Sequence, residues 1–225
     1  MGASEKVRGL LMKEADAEYK EFTYKLTPGL DKDKMIGVRF PALKKVCKQL
    51  TEDERRQYMT ELPHIYFEEN NLHSVIISNI RDEEECIAAI EAFMPYIDNW
   101  STCDTISPAV FKKHKRKLIV KIREWVKSDE VYTVRVGVLL LMKFFLGEDF
   151  KPEYNDLVAG IKSDEYYVNM MCAWYFATAL AKQYDDTVPY LKNRLLTPEV
   201  HKMTVRKAVE SFRVTEEHKA EIKNT

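Results

Sequence analysis

Glycine and proline are scarce: seven and eight in a chain of 225 residues. So little of either argues against a collagen-like chain, a Gly-rich β-protein and a Pro-rich linker protein. Cysteine is nearly as rare. Cys47, Cys86, Cys103 and Cys172 form no CxxC pair, and no histidine stands at a zinc-ligand spacing from them. A disulfide framework and a structural zinc site are therefore disfavoured, and reduced, mostly buried thiols are expected. Wholly apolar stretches such as Val136 to Met142 fall far short of the roughly 20 residues that span a bilayer. No membrane association is expected, and the N-terminus lacks the apolar core of a signal peptide, so a cytoplasmic location is the expectation. An excess of one charge is missing too: 35 Lys and Arg face 36 Asp and Glu, so binding to a polyanion needs a local patch. Signatures of nucleotide binding (GxGxxG, GxxxxGK[ST]), zinc proteolysis (HExxH) and serine hydrolysis (GxSxG) are absent, and no cofactor is expected.

What the chain does contain is helical periodicity. Lys117 to Val126, Val131 to Leu146, Tyr166 to Ala181 and Val205 to Phe212 carry apolar residues at spacings of three and four, the pattern of helices with a buried stripe. Alternating strand-like runs joined by hairpin dipeptides are missing. Thr51 with Glu54 forms a candidate capping box, and Pro41, Pro152, Pro189 and Pro198 fit first-turn positions or breaks. Ser128-Asp129-Glu130 and Ser163-Asp164-Glu165 each precede an apolar helix, at an offset of 35 residues. That offset also places Tyr132 on Tyr167 and Leu139 on Trp174, keeping the apolar stripe in register. A period near 35 in an all-α chain predicts a HEAT-like helical repeat superhelix, an α-α solenoid with a concave binding face. No low-complexity linker divides it, so residues 1–225 read as a single HEAT-like repeat domain.

Four features could carry chemistry. Phe111 to Arg123, FKKHKRKLIVKIR, holds seven Lys or Arg, one His and no acid. On a helix it would project several cations to one side, either as a phosphate contact or as a solvated face answered by Asp98 and Glu124. Trp100 and Asp104 lie four apart and share a helical face. Read alone, they are a core residue and a helix cap. Arg135 interrupts the apolar run YTVRVGVLLLM, so its head group needs an acid or a phosphate. Trp174 lies in another apolar helix, where core packing is the plain account.

Together these positions resemble the AlkD-like DNA alkylation repair proteins, DNA glycosylases built from HEAT-like repeats. Gly37-Val38-Arg39-Phe40-Pro41 with Leu43-Lys44-Lys45 is similar to the family's Gly-hydrophobic-x-x-Pro segment and its basic tail. Trp100-x3-Asp104 is similar to its Trp and catalytic Asp. Arg135, Trp174 some 39 residues later, and Val205-Arg206-Lys207-Ala208 complete the order. The chain departs from the pattern at Ser101, where members often carry Asp, and at Arg39, where better-known members carry an uncharged polar residue.

The resemblance implies a monofunctional enzyme of base excision repair that excises positively charged N3- and N7-alkylpurines from duplex DNA. It implies Asp104, Trp100, Trp174 and Arg135 as catalytic residues. It gives Arg39, Lys44, Lys45, Lys112, Lys113, Lys115, Arg116, Arg206 and Lys207 as DNA contacts, with a monomer acting alone. Two other readings stay open on the residues: a non-catalytic module binding branched or distorted DNA, and a protein-interaction scaffold.

Overall fold

A computed structural model describes residues 2–225. Among the described residues there are fourteen α-helices, short 3-10 turns and no strand, so the all-α expectation holds. The chain divides into two compact units, one ending at His114 and the other spanning Lys115–Thr225.

The first unit holds α1 (Ala3–Met12), α2 (Ala17–Leu26), α3 (Phe40–Gln49), α4 (Glu52–Thr60), α5 (Phe67–Ile77), α6 (Glu83–Phe93) and α7 (Trp100–Thr105). Its centre is α5, which packs against α1, α3, α4, α6 and α7. A helix enclosed on every side needs no amphipathic stripe. Accordingly every residue of Phe67–Ile77 except Asn70 is buried, polar ones included. Those polar groups are satisfied, as burial demands. Glu69 accepts from Arg8 Nε at 3.0 Å and from the Ile65 and Tyr66 amides at 2.8 and 2.9 Å. Ser74 Oγ donates to the Thr102 carbonyl at 2.9 Å. The capping box at Thr51 forms as expected, closing the start of α4.

The second unit holds α8 (Arg116–Trp125), α9 (Val131–Phe145), α10 (Glu153–Ala159), α11 (Tyr166–Lys182), α12 (Tyr184–Lys192), α13 (Pro198–Glu210) and α14 (Glu216–Ile222). Alternate helices stack here: α9 on α11 and α11 on α13. The 35-residue repeat is visible at atomic detail. Ser128 Oγ accepts the Glu130 amide and Ser163 Oγ the Glu165 amide, both at 3.1 Å, and both glutamates take extended N-cap conformations. The repeated serines thus shape the turn before each helix and are not the N-caps themselves. Tyr132 and Tyr167, equivalent in the repeat, lie with ring centroids 6.3 Å apart.

Other expectations shift. α13 begins at Pro198, seven residues before the expected Val205, because Thr197 caps it by accepting the Val200 amide. Pro189 lies inside α12, not at a first turn. The basic run is not one helix. Ala109–Lys112 forms a 3-10 turn, Lys115 leaves the helical region at φ −144°, and α8 starts only at Arg116. Lys115 instead donates to the Phe144 carbonyl at 2.9 Å and pairs with the Asp149 carboxylate.

All four cysteines are buried. Burial pushes the Cys86 and Cys172 thiols up to about 12, which keeps them protonated and inert. No helix of the described residues is long and apolar enough to cross a membrane.

Candidate functional site

α7 is only six residues long, and isolated it would not persist. Tertiary contacts hold it. Asn99 caps it by accepting the Thr102 amide at 2.9 Å, and Asn99 Nδ2 donates to Thr102 Oγ1 at 2.9 Å. Thr102 Oγ1 in turn donates to Asn71 Oδ1 on α5 at 2.8 Å. With the Ser74 bond, this buried network fixes α7 to the centre of the first unit. The cap is therefore Asn99, and Asp104 is not a cap: it lies in the last turn, where the helix dipole offers a carboxylate nothing. Trp100 is not a core residue either. It is half-buried, and its indole Nε1 donates to the Leu26 carbonyl at the end of α2 at 3.0 Å. The ring is held in place while part of its surface stays open.

Trp100 and Asp104 line one wall of a cleft of about 1180 Å³ within the first unit. Phe40, 41% exposed at the start of α3, lines the same cleft. So do five cations, Lys44, Lys48, Arg55, Arg56 and Arg81, against Glu52, Asp82 and Glu85 besides Asp104. Lys44 Nζ sits 4.8 Å from the Phe40 ring centroid.

The segment that delivers α3 to this cleft is clamped from behind. Glu68, buried on α5, accepts the amides of Ile36, Gly37 and Val38 at 2.8, 2.6 and 3.3 Å. Gly37 takes φ +92°, and a Cβ there would stand 2.3 Å from the Asp16 carbonyl oxygen, so only glycine fits. The glycine of the 37–41 motif thus serves close packing.

The expected DNA contacts fall into distinct settings. Arg39 pairs with Asp16 at 2.9 Å and stacks over Tyr19, and Lys45 pairs with Glu14 at 2.6 Å. Lys112 and Lys113 are exposed at the end of the first unit, with no ion pair among the described residues. In the second unit Lys115 is engaged as above, Arg116 is exposed, Arg206 pairs with Glu210 one turn on at 3.0 Å, and Lys207 is half-buried.

Arg135 and Trp174 lie on the packed helices α9 and α11 of that second unit. Arg135 is 4% exposed and its Nη1 donates to the Tyr167 carbonyl at 2.7 Å. Trp174 overturns the plain core reading: it is 38% exposed, while both its neighbours Ala173 and Tyr175 are fully buried.

The profile of the family described as DNA alkylation repair enzyme matches residues 7–212. The chain belongs to that family. This DNA alkylation repair enzyme has no match among curated relatives. Its substrate is DNA, which suits a cleft lined by cations and flat rings. The sequence pattern did not single out Lys48, Arg55, Arg56, Arg81 or Phe40 for this cleft. Lys48 carried a signal, since it stands four residues beyond Lys44 on the same helical face. Arg81 carried none, because only the folded α5–α6 connection brings it there.

Proposed function

We propose that this repair enzyme is a monofunctional DNA glycosylase that releases N3- and N7-alkylated purines from duplex DNA. The observation that carries the reading is a carboxylate and an indole, Asp104 and Trp100, on one firmly held short helix at the wall of a cation-lined cleft.

Alkylation at N3 or N7 makes a purine cationic and hence a good leaving group, so protonation by a general acid is less needed. The difficulty moves to the deoxyribose, which develops oxocarbenium character as the glycosidic bond breaks. The base leaves with the bonding electron pair and becomes neutral, and water adds at C1′. Asp104 supplies the anion that stabilises the sugar cation and orients that water. The Trp100 ring, fixed through its N–H, presents an electron-rich face to the developing charge.

On the second unit the same reading gives Trp174 the packing of its open ring on the sugar–phosphate backbone and Arg135 a phosphate, which this 4%-exposed side chain takes only by leaving its present contacts, the Tyr167 carbonyl among them. The exposure of Trp174 supports this role, since part of its ring is open to a partner. Lys44, Lys112, Lys113, Arg116 and Lys207 serve as backbone contacts. Arg39, Lys45, Lys115 and Arg206 join them by exchanging an internal carboxylate for a phosphate. The curved HEAT-like superhelix with a concave DNA face belongs to the same proposal, and the stacking of alternate helices within the second unit supports it.

The test is single-turnover base release from a duplex carrying 7-methylguanine, comparing the parent with Asp104→Asn. The substitution keeps size and removes charge, and a loss of about 10²-fold or more is expected. Equal rates would overturn the role of Asp104. No release by the parent, with binding verified in the same samples, would overturn the glycosylase.

A further inference from the structure

We infer that Lys48 and Arg81 grip the DNA phosphates that enter the Trp100–Asp104 cleft, an inference that rests on the reading of this cleft as the DNA site. The five cleft cations differ in how far their charge is already committed. Arg56 donates to Glu52 at 2.8 Å and lies 3.9 Å from Glu85. Arg55 directs Nη1 to the Cys47 carbonyl at 3.4 Å. Lys44 rests over the Phe40 ring. Lys48 and Arg81 are exposed and make neither hydrogen bond nor ion pair among the described residues.

This difference decides which cations a phosphodiester meets at full charge. A paired cation must release its carboxylate, and the released carboxylate then repels the phosphate. An uncommitted cation loses only water and condensed ions, and its contact appears directly in the salt dependence of binding. Asp82, next to Arg81, makes no ion pair with it: its carboxylate accepts the Glu85 amide at 2.8 Å as the N-cap of α6. Lys48 follows Lys44 by one helical turn, which aligns two ammonium groups along one face of α3. Arg81 stands just before α6, where its planar fork can take a phosphate by two parallel bonds.

Binding of an undamaged duplex is measured across salt concentrations for the parent, Lys48→Ala, Arg81→Ala, the double variant and, as a paired-cation control, Arg56→Ala. Each single removal is expected to lower the slope of log affinity on log salt by about 0.9, and the double by about twice that. Arg56→Ala is expected to change it less. The charge-keeping Lys48→Arg and Arg81→Lys variants should retain the parent slope, which separates charge from misfolding. A parent-like slope in the double variant, or an Arg56→Ala effect as large as the double, overturns the inference. Asp104→Asn base release in parallel separates the two readings. Lost excision with an unchanged double-variant slope defeats only the phosphate grip, whereas a lowered slope in a chain that releases no base defeats only the glycosylase.

Discussion

His64, half-buried, and His73, buried, form a pair whose chemistry the proposed reaction does not use. His64 Nε2 and His73 Nδ1 are 2.8 Å apart, with His64 stacked on Tyr58 and His73 on Phe93. Burial drives both pKa values down, to about 4 for His64 and about 3 for His73, where His64 adds to the effect. The unfolded chain, titrating near 6.5, therefore binds more protons below that pH than the folded one. Stability is at its full value above about 6.5 and is lost as pH falls toward 4. At pH 4.5 the loss is on the order of several kcal/mol, since each tenfold difference in proton affinity is worth about 1.4 kcal/mol. Urea unfolding at pH 7 and pH 4.5 checks this, and equal stability at the two values would exclude the neutral pair. Replacing His73 by Phe, which suits its stacking on Phe93, should flatten the dependence.

At the scale of elements, the decisive contact is the grip of Glu68 on the backbone before α3. Three amides converge on one buried carboxylate, and no other acceptor meets them among the described residues. Glu68→Ala leaves those donors unsatisfied and is expected to lower stability by about 3–5 kcal/mol. Glu68→Gln keeps one acceptor oxygen and should lose less. Chemical denaturation separates the variants, and a loss under about 1 kcal/mol for Glu68→Ala would show that the segment does not depend on the clamp. This element also marks where the sequence is legible. α9 and α11 stand out in advance because a repeated turn and a repeated apolar stripe mark them. α5 does not, since FEENNLHSVII is half polar and shows no stripe. Its polar residues find partners at Arg8, at 36–38 and at Thr102, which no local pattern reveals. The site divides likewise. Trp100 and Asp104 stand out only through the family resemblance, since their spacing alone reads as a core residue and a cap, and the cleft's cations come from α3, α4 and the α5–α6 connection, which only folding joins.

For the whole molecule, charge arithmetic and function pull in opposite directions. With 35 cations and 36 acids the chain has no net attraction for DNA, and counting alone favours a scaffold without nucleic-acid partners. Placement matters more than the sum, because at 0.1 M salt charges more than about 10 Å apart are largely screened. Ion pairs such as Asp16–Arg39, Glu14–Lys45, Glu52–Arg56, Asp149–Lys115 and Glu210–Arg206 remove one charge of each sign and leave the sum unchanged, so the placement of the remaining cations decides. The cations left uncommitted, among them Lys48, Arg81, Lys112, Lys113 and Arg116, then act as the local field a duplex meets. A near-neutral chain is thus expected to bind undamaged duplex with a steep salt dependence. If about six phosphates are contacted, affinity should fall roughly 10³-fold between 50 and 200 mM salt. Fluorescence anisotropy of a labelled duplex measures it. A flat dependence, or no binding at about 50 mM, would mean that the uncommitted cations are merely solvated and that DNA is not held by its backbone.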